Sequence, residues 1–267
     1  MTETTIDFIV EWIDKKAENA KVDSLVVGIS GGIDSAVVST LCAKTNRKVI
    51  LVTMPIGNQS NLSYDHVSWL VEKYENIEHV EHNLSATFND LIYSNQTISN
   101  REGVKFIETS KLAMANAASR LRMTALYMVA NTYNGLVVGT GNKVEDFGIG
   151  FFTKYGDGGV DISPIADLYK SQVYDVGRKL KLLSGIVSAV PTDGLWEDGR
   201  TDEDQIGYSY DELERAMIID EYDTFDLMKD SMTDRELDAY NHYLHLNKIR
   251  KHKMEPIPVC KIPTNLN

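Results

Sequence analysis

Ser24-Leu-Val-Val-Gly-Ile-Ser30 leaves no polar face for solvent. A strand of this kind is buried on both sides, which places it inside a mostly parallel sheet covered by helices. It runs directly into Gly31-Gly32-Ile33-Asp34-Ser35 and a helix predicted over about Asp34–Lys44. Val49-Ile-Leu-Val-Thr-Met54 reads as a second buried strand, stopped by Pro55 and Gly57. His79–Leu84 is a weaker third strand and Leu136-Val-Val-Gly139 a further one, with helical patterns over Ile6–Ala17, Leu62–Tyr74 and Phe106–Tyr133 between them. Strands separated by helices predict βαβ units. The expected fold is α/β, a doubly wound, mostly parallel sheet flanked by helices, with a charged helical C-terminal region over about Ser209–Lys253. No internal repeat or linker interrupts the pattern, so residues 1–267 read as one domain. Tyr93–Gly103 and Pro191–Gln205 read as loops long enough to cover a site.

The chain carries 27 basic against 39 acidic residues, a formal charge of −12. That balance disfavours broad nucleic-acid binding, which needs a basic surface to displace counterions. No apolar run approaches the ~18–20 residues that span a bilayer. Met1–Ile6 lacks the pattern of a secretory signal, and Cys42 and Cys260 form no CxxC or disulfide framework. The expectation is a cytoplasmic protein with neither nucleic acid nor membrane as partner.

Chemistry concentrates in Gly28-Ile29-Ser30-Gly31-Gly32-Ile33-Asp34-Ser35. Glycines that free backbone N–H groups, two hydroxyl donors and a helix N-terminus together make an anion cradle. Asp34 would repel a bare phosphate, and it fits if a divalent cation lies between carboxylate and phosphate. Gly28-Ile29-Ser30-Gly31-Gly32 also matches G-x-S-x-G, the nucleophile elbow of serine hydrolases. An elbow after the first strand, without an oxyanion segment, is the weaker reading. No G-x-x-x-x-G-K-[ST] motif occurs, so a phosphoryl-transfer P-loop is disfavoured.

Ser30-Gly31-Gly32-Ile33-Asp34-Ser35 resembles the pyrophosphate loop of the N-type ATP pyrophosphatases, which adenylate substrates by splitting ATP between its α and β phosphates. The following segments, in matching order, resemble the NAD synthetases: Asn116-Ala-Ala-Ser-Arg120-Leu-Arg122-Met123, Gly139-Thr140-Gly-Asn142-Lys143-Val-Glu145 and Phe152-Thr-Lys154-Tyr-Gly-Asp157-Gly-Gly-Val-Asp161. So do Pro164, Leu168 and Lys170, then Pro191-Thr192, Thr201–Asp204 with Gly207, Tyr210-Asp-Glu212, and His252-Lys253. In many members one residue fewer separates the glutamate matching Glu145 from the Thr-Lys-Tyr-Gly motif.

The resemblance implies an adenine nucleotide α hydrolase-like fold and ATP-dependent amidation of deamido-NAD with ammonia, through an adenylated intermediate. It places ATP on Gly28–Ser35 with Thr140, Lys170 and Thr192, and Mg2+ on Asp34 and Glu145. Deamido-NAD falls to Arg120, Lys154, Asp161, His252 and Lys253, with Asp157 near the reacting carboxyl or the incoming ammonia. Arg120 and Arg122 point about 200° apart on a helix, so only one faces the site easily. The resemblance selects Arg120; Arg122 reads as a solvated surface charge. Relatives are homodimers, so a homodimer is expected. Glutamine-hydrolysing members carry an N-terminal amidase domain; only 27 residues precede Gly28, so free ammonia is the expected nitrogen donor. The alternatives are another adenylating enzyme on this loop (GMP-synthetase-like), a non-catalytic nucleotide sensor, and the serine hydrolase at Ser30.

Overall fold

The computed structural model describes residues 3–57, 60–96, 99–100, 103–104, 109–191 and 201–257. Helix α1 (Glu3–Ala20) opens the chain and buries Ile6, Ile9, Ile13 and Ala17 at the spacing read from sequence. It is followed by β1 (Ser24–Gly28), α2 (Ile33–Ala43), β2 (Lys48–Thr53), α3 (Asn61–Lys73), β3 (Ile77–Glu81) and α4 (Ser85–Gln96). Two short strands, β4 (Ser99–Asn100) and β5 (Gly103–Val104), pair antiparallel. Next come α5 (Lys111–Thr132), β6 (Gly135–Val137) and a π-helix over Lys143–Gly148. The C-terminal part is helical: α6 (Lys170–Lys179), α7 (Ser184–Val187), α8 (Asp202–Ile206), α9 (Tyr210–Glu221), α10 (Phe225–Met228), a 3₁₀ turn at Lys229–Ser231, and α11 (Asp234–Met254). None of the described helices is long and apolar enough to cross a membrane.

The main sheet is parallel, in the order β3-β2-β1-β6. Alternate side chains feed two cores. Leu25, Val27, Val49 and Leu51 pack with α1, α2 and α6 on one face. Val26, Ile50 and Val52 pack with Ala125, Val129 and Ala130 of α5 on the other. Each fully buried aliphatic side chain favours the folded state by about 1.5–3 kcal/mol, and a one-residue slip would exchange the two faces, so the register is fixed. A third core joins Val144 and Ile149 at the π-turn to Leu213, Met217, Tyr243 and Leu246 of α9 and α11.

Two expectations need correction. The third strand is Ile77–Glu81 rather than His79–Leu84, because an edge strand with half-exposed, alternating residues shows no apolar run. Tyr93–Gln96, read as loop, forms the end of α4. The loop reading of Pro191–Gln205 falls largely on residues outside those described; of the remainder, Asp202–Gln205 lie in α8.

Beneath the cradle, α3 supplies His66, which is fully buried and stacked on Trp69. Ser39 Oγ donates to Ser35 O at 2.7 Å, so His66 Nε2, 2.9 Å away, donates to Ser39 Oγ. Its Nδ1 finds no partner among the described residues. Burial pushes this imidazole down from 6.5 to about 4, against the carbonyl of Ala36. The unfolded chain therefore binds the proton first, and stability complete above pH 6.5 is lost as pH falls toward 4. At ~1.4 kcal/mol per pH unit the loss approaches about 3 kcal/mol. Urea unfolding at pH 7, 5.5 and 4.5 should show this slope in the natural protein and a shallower one in His66→Phe. Equal slopes would reject the assignment.

Candidate active site

The chain leaves β1 toward β2 on one side and later returns to place β6 on the other. The carboxyl ends of β1 and β6 thus border the point where winding reverses, the place where an open α/β sheet has room for a ligand.

The turn after β1 is built by its own side chains. Gly31 has φ +92°, and a Cβ there would lie 3.0 Å from Ser63 N, so only glycine fits. Gly32 has φ −83° and caps α2, so the backbone conformation demands only the first glycine. Ser30 Oγ accepts from Gly32 N at 3.1 Å and lies 3.0 Å from Ser35 Oγ, which in turn donates to Gly32 O at 3.0 Å. Ile29 and Ile33 bury their side chains in the core, which leaves only their backbone to a ligand. Ser30 therefore engages its own loop, while the buried histidine below it bonds Ser39.

The segment after β6 faces this turn. Asn142 is fully buried; its Oδ1 accepts from Val144 N and Glu145 N, both at 3.1 Å, and its Nδ2 donates to Asp34 Oδ1 at 3.1 Å. The π-helix it caps closes with Ile149 N donating to Val144 O at 3.0 Å. Such a wide turn accommodates one more residue than an α-turn and is common at functional sites. Thr140 lies half-buried just past β6.

Lys170 joins the two strand ends. Its Nζ lies 2.7 Å from Asp34 Oδ2 and 2.8 Å from Glu145 Oε1, with its side chain 4% exposed. Expected on ATP, this lysine stands instead between the carboxylates expected to hold magnesium. Burial opposes its charge, but Asp34 and Glu145 outweigh that and hold the ammonium above its ordinary value. Burial and Glu145 raise Asp34 against the pull of Lys170. Burial also opposes the charge on Glu145, yet Lys170, Tyr210 and Asn142 bring its carboxyl below the usual value. Two carboxylates already converge on one cation here, and hard oxygen donors of this kind suit Mg2+. Among the described residues no third His, Cys, Asp or Glu joins them. That agrees with Mg2+ sites completed by water and phosphate oxygens.

Helix α9 braces this cluster along one face. Tyr210 OH donates to Glu145 Oε1 at 2.6 Å, and Lys170 Nζ lies 5.0 Å from its ring centroid. One turn on, Glu214 accepts from Ser171 N at 2.8 Å and Ser171 Oγ at 2.6 Å, placing a carboxylate at the N-terminus of α6. Glu221 accepts from Lys143 Nζ and Tyr169 OH, both at 2.8 Å. Residues 210, 214 and 221 share a face at helical spacing.

A second group lies where α11 ends against the glycine loop, residues 152–161. Lys154 Nζ donates to His252 O, Lys253 Nζ donates to Gly150 O, and Arg120 Nε donates to Lys154 O at 3.2 Å. Asp157 accepts from Ser119 Oγ at 2.7 Å and Thr153 N at 2.9 Å. The structure thus brings Arg120, Lys154, His252 and Lys253 together, with Asp157 held on the same loop. Asp161 stands apart, its oxygens accepting from Val137 N at 2.8 Å and Tyr127 OH at 3.0 Å. Thr192 lies outside the described residues.

Arg122 is a correction. Expected to be solvated, it is half-buried and its Nε donates to Met54 O at 3.2 Å. Sequence reasoning also gave no role to Asn142 or Tyr210, although both lie in the matched segments, and it passed over Asp146. The Asp146 carboxyl is pushed up by burial, then by Asp157, Glu145 and Asp34; a Cβ on Gly141 would meet its Oδ2 at 1.9 Å. Asn142, three residues before Glu145, has the spacing of a helix cap, which was a usable signal.

The sequence profile of the NAD synthase family matches residues 5–256. The NH(3)-dependent NAD(+) synthetase of Alkaliphilus oremlandii is 39% identical over 95% of this chain and 96% of its own. That of Carboxydothermus hydrogenoformans is 38% identical over 80% and 84%. Among solved structures, the NMN synthetase from Francisella tularensis superposes with TM-score 0.78, at 30% identity, covering 98% of both chains. The NH3-dependent NAD synthetase from Campylobacter jejuni, solved with nitrate, gives TM-score 0.77 at 22% identity over 98% of this chain and supports the fold alone.

Proposed function

The chain belongs to the NAD synthase family, and from that premise we propose that it amidates deamido-NAD with ammonia, using ATP and releasing AMP and pyrophosphate. The observation that carries this reading is the meeting of Asp34 and Glu145, from two different strand ends, at one cation. The substrate carboxylate attacks the α-phosphate, and pyrophosphate departs toward the Ser30–Ser35 turn, where backbone N–H groups and the N-terminus of α2 favour an anion. Mg2+ held by Asp34 and Glu145 would offset the charge gathered between two polyanions. The released ammonium of Lys170 is long enough to follow the phosphates, and Thr140 and Thr192 complete the ATP contacts. Arg120, Lys154, Asp161, His252 and Lys253 hold the dinucleotide, with Asp157 beside the carboxyl. Ammonia then displaces AMP from the mixed anhydride. No protein nucleophile is needed; positioning and electrostatic stabilisation supply the rate.

The relatives' names favour this reading over a GMP-synthetase-like enzyme or a serine hydrolase. A second substrate merits testing because one structural relative is named for making a mononucleotide. The decisive assay contains ATP and Mg2+ with either deamido-NAD or nicotinate mononucleotide, with ammonium, glutamine or neither. The expected result is AMP and NAD formed in equal amounts with ammonium and none with glutamine alone. Faster turnover of the mononucleotide would reassign the substrate, and equal rates with glutamine would reject ammonia as the donor.

We read residues 1–267 as one synthetase domain acting in the cytoplasm as a homodimer. Sedimentation equilibrium of the assayed preparation tests it, and a monomer mass would reject the dimer.

A further inference from the structure

Arg122 lies where two parts of the site approach each other. Its Nε bond to Met54 O ties it to the carboxyl end of β2. That end adjoins the cradle strand: Ile29 N donates to Val52 O at 2.9 Å, and a Cβ on Gly28 would lie 3.1 Å from Met54 Cε. The same face of α5 meets the glycine loop. Ser119, three residues earlier, bonds Asp157, and Met123 Cγ would lie 2.9 Å from a Cβ on Gly159. Arg122 therefore stands between the pyrophosphate turn and the loop assigned to the reacting carboxyl.

Among the described residues no carboxylate lies within ion-pair distance of its guanidinium. Arg47, Arg178, Arg215 and Arg235 each lie within 2.6 Å of a carboxylate oxygen, whereas among the described residues half-buried Arg122 donates to a carbonyl. A guanidinium does not shed its proton in a protein, so burial leaves a positive charge awaiting an anion. Burial opposes that charge and Asp157 only partly restores it. We propose that Arg122 is a catalytic residue of the adenylation step, its guanidinium contacting the α-phosphate of ATP as the substrate carboxylate attacks. This rests on the synthetase reading above. In that step a carboxylate oxygen forms a bond to the α-phosphorus while the bond to the bridging oxygen of the β-phosphate breaks. Pyrophosphate leaves with the electron pair, and no proton is exchanged with Arg122. Charge spreads over the α-phosphate oxygens in the transition state, where a planar fork of donors is most effective.

The test is deamido-NAD-dependent exchange of labelled pyrophosphate into ATP, which reads adenylation without ammonia. Arg122→Met should lower the exchange kcat about 100-fold with KM for ATP changed less than about threefold. Arg122→Lys, which keeps the charge and the stem, should regain at least about tenfold of that loss. Arg120→Met, removing an exposed contact to the dinucleotide, should instead raise KM for deamido-NAD. Exchange within threefold of the natural protein in a folded Arg122→Met, or a loss seen only in KM for ATP, would overturn the proposal. Should methionine unfold the chain, Arg122→Gln is judged by the same criteria, and a lysine variant no better than either also overturns it. Absence of exchange in the natural protein would sink the synthetase reading itself, an outcome distinct from failure of the Arg122 assignment.

Discussion

Asp34→Ala should reduce pyrophosphate release by at least about 10³-fold while leaving the fold in place. The magnitude follows from removing one of two carboxylates that bring a cation to developing charge, a class of loss that runs to 10²–10³ or more. The fold should survive because Lys170 keeps Glu145 as partner at 2.8 Å, and Asn142 keeps its bonds to the π-helix. Pyrophosphate release followed by a coupled phosphatase, with circular dichroism as the check on folding, gives the answer. Retained turnover in a folded Asp34→Ala would refute the cation site.

Lys170→Met should be costly to both activity and stability. The side chain is 4% exposed and serves two carboxylates, so its removal leaves two negative charges facing each other away from solvent. Breaking a buried ion pair from one side costs about 3–5 kcal/mol. For a chain of this size that lowers Tm by roughly 10 °C. The pH dependence has a definite sign. Without the ammonium, the folded carboxylates hold protons more tightly than the unfolded ones, so folding takes up protons and stability falls as pH rises above about 4. The deficit relative to the natural protein should therefore be larger at pH 8 than at pH 5. Added Mg2+ should recover part of it by taking the position of the ammonium. Thermal melts at the two pH values, with and without Mg2+, decide the matter; a deficit independent of both would mean that Lys170 does not neutralise this pair.

What the sequence could show depended on whether the determining contacts were local. β1 and β2 were legible because Leu25–Val27 and Val49–Val52 are apolar on both faces, and burial on both faces is what they have. β3 was read two residues late and α4 was missed, since Ile77–Glu81 is half-exposed and Ser85–Gln96 offers a weak apolar face. The cradle was readable in a single string, with one refinement: Gly31 needs its left-handed backbone and Gly32 does not. The cluster at its edge was less so. Asp34, Asn142, Glu145, Lys170 and Tyr210 are scattered over 177 positions of the chain, and only the reversal of winding beside β1 and the packing of α9 bring them together. The family resemblance named two of them as metal ligands but had no means of showing that a lysine stands between. Arg122 was misjudged for a related reason. Helical angles told which way it points relative to Arg120, but not that Met54 and the glycine loop both lie on that side.

The wide turn at Lys143–Gly148 separates chain length from site geometry. Upstream, Asn142 clamps the carboxylate-bearing end; downstream, Phe151 N returns to Glu145 O at 2.7 Å and Lys253 grips Gly150. Slack between these two anchors is stored as one broader coil of backbone, so gaining or losing a residue there resizes a loop of helix without dragging either anchor. Chain length at this point is therefore free to change while the reactive carboxylate keeps its station.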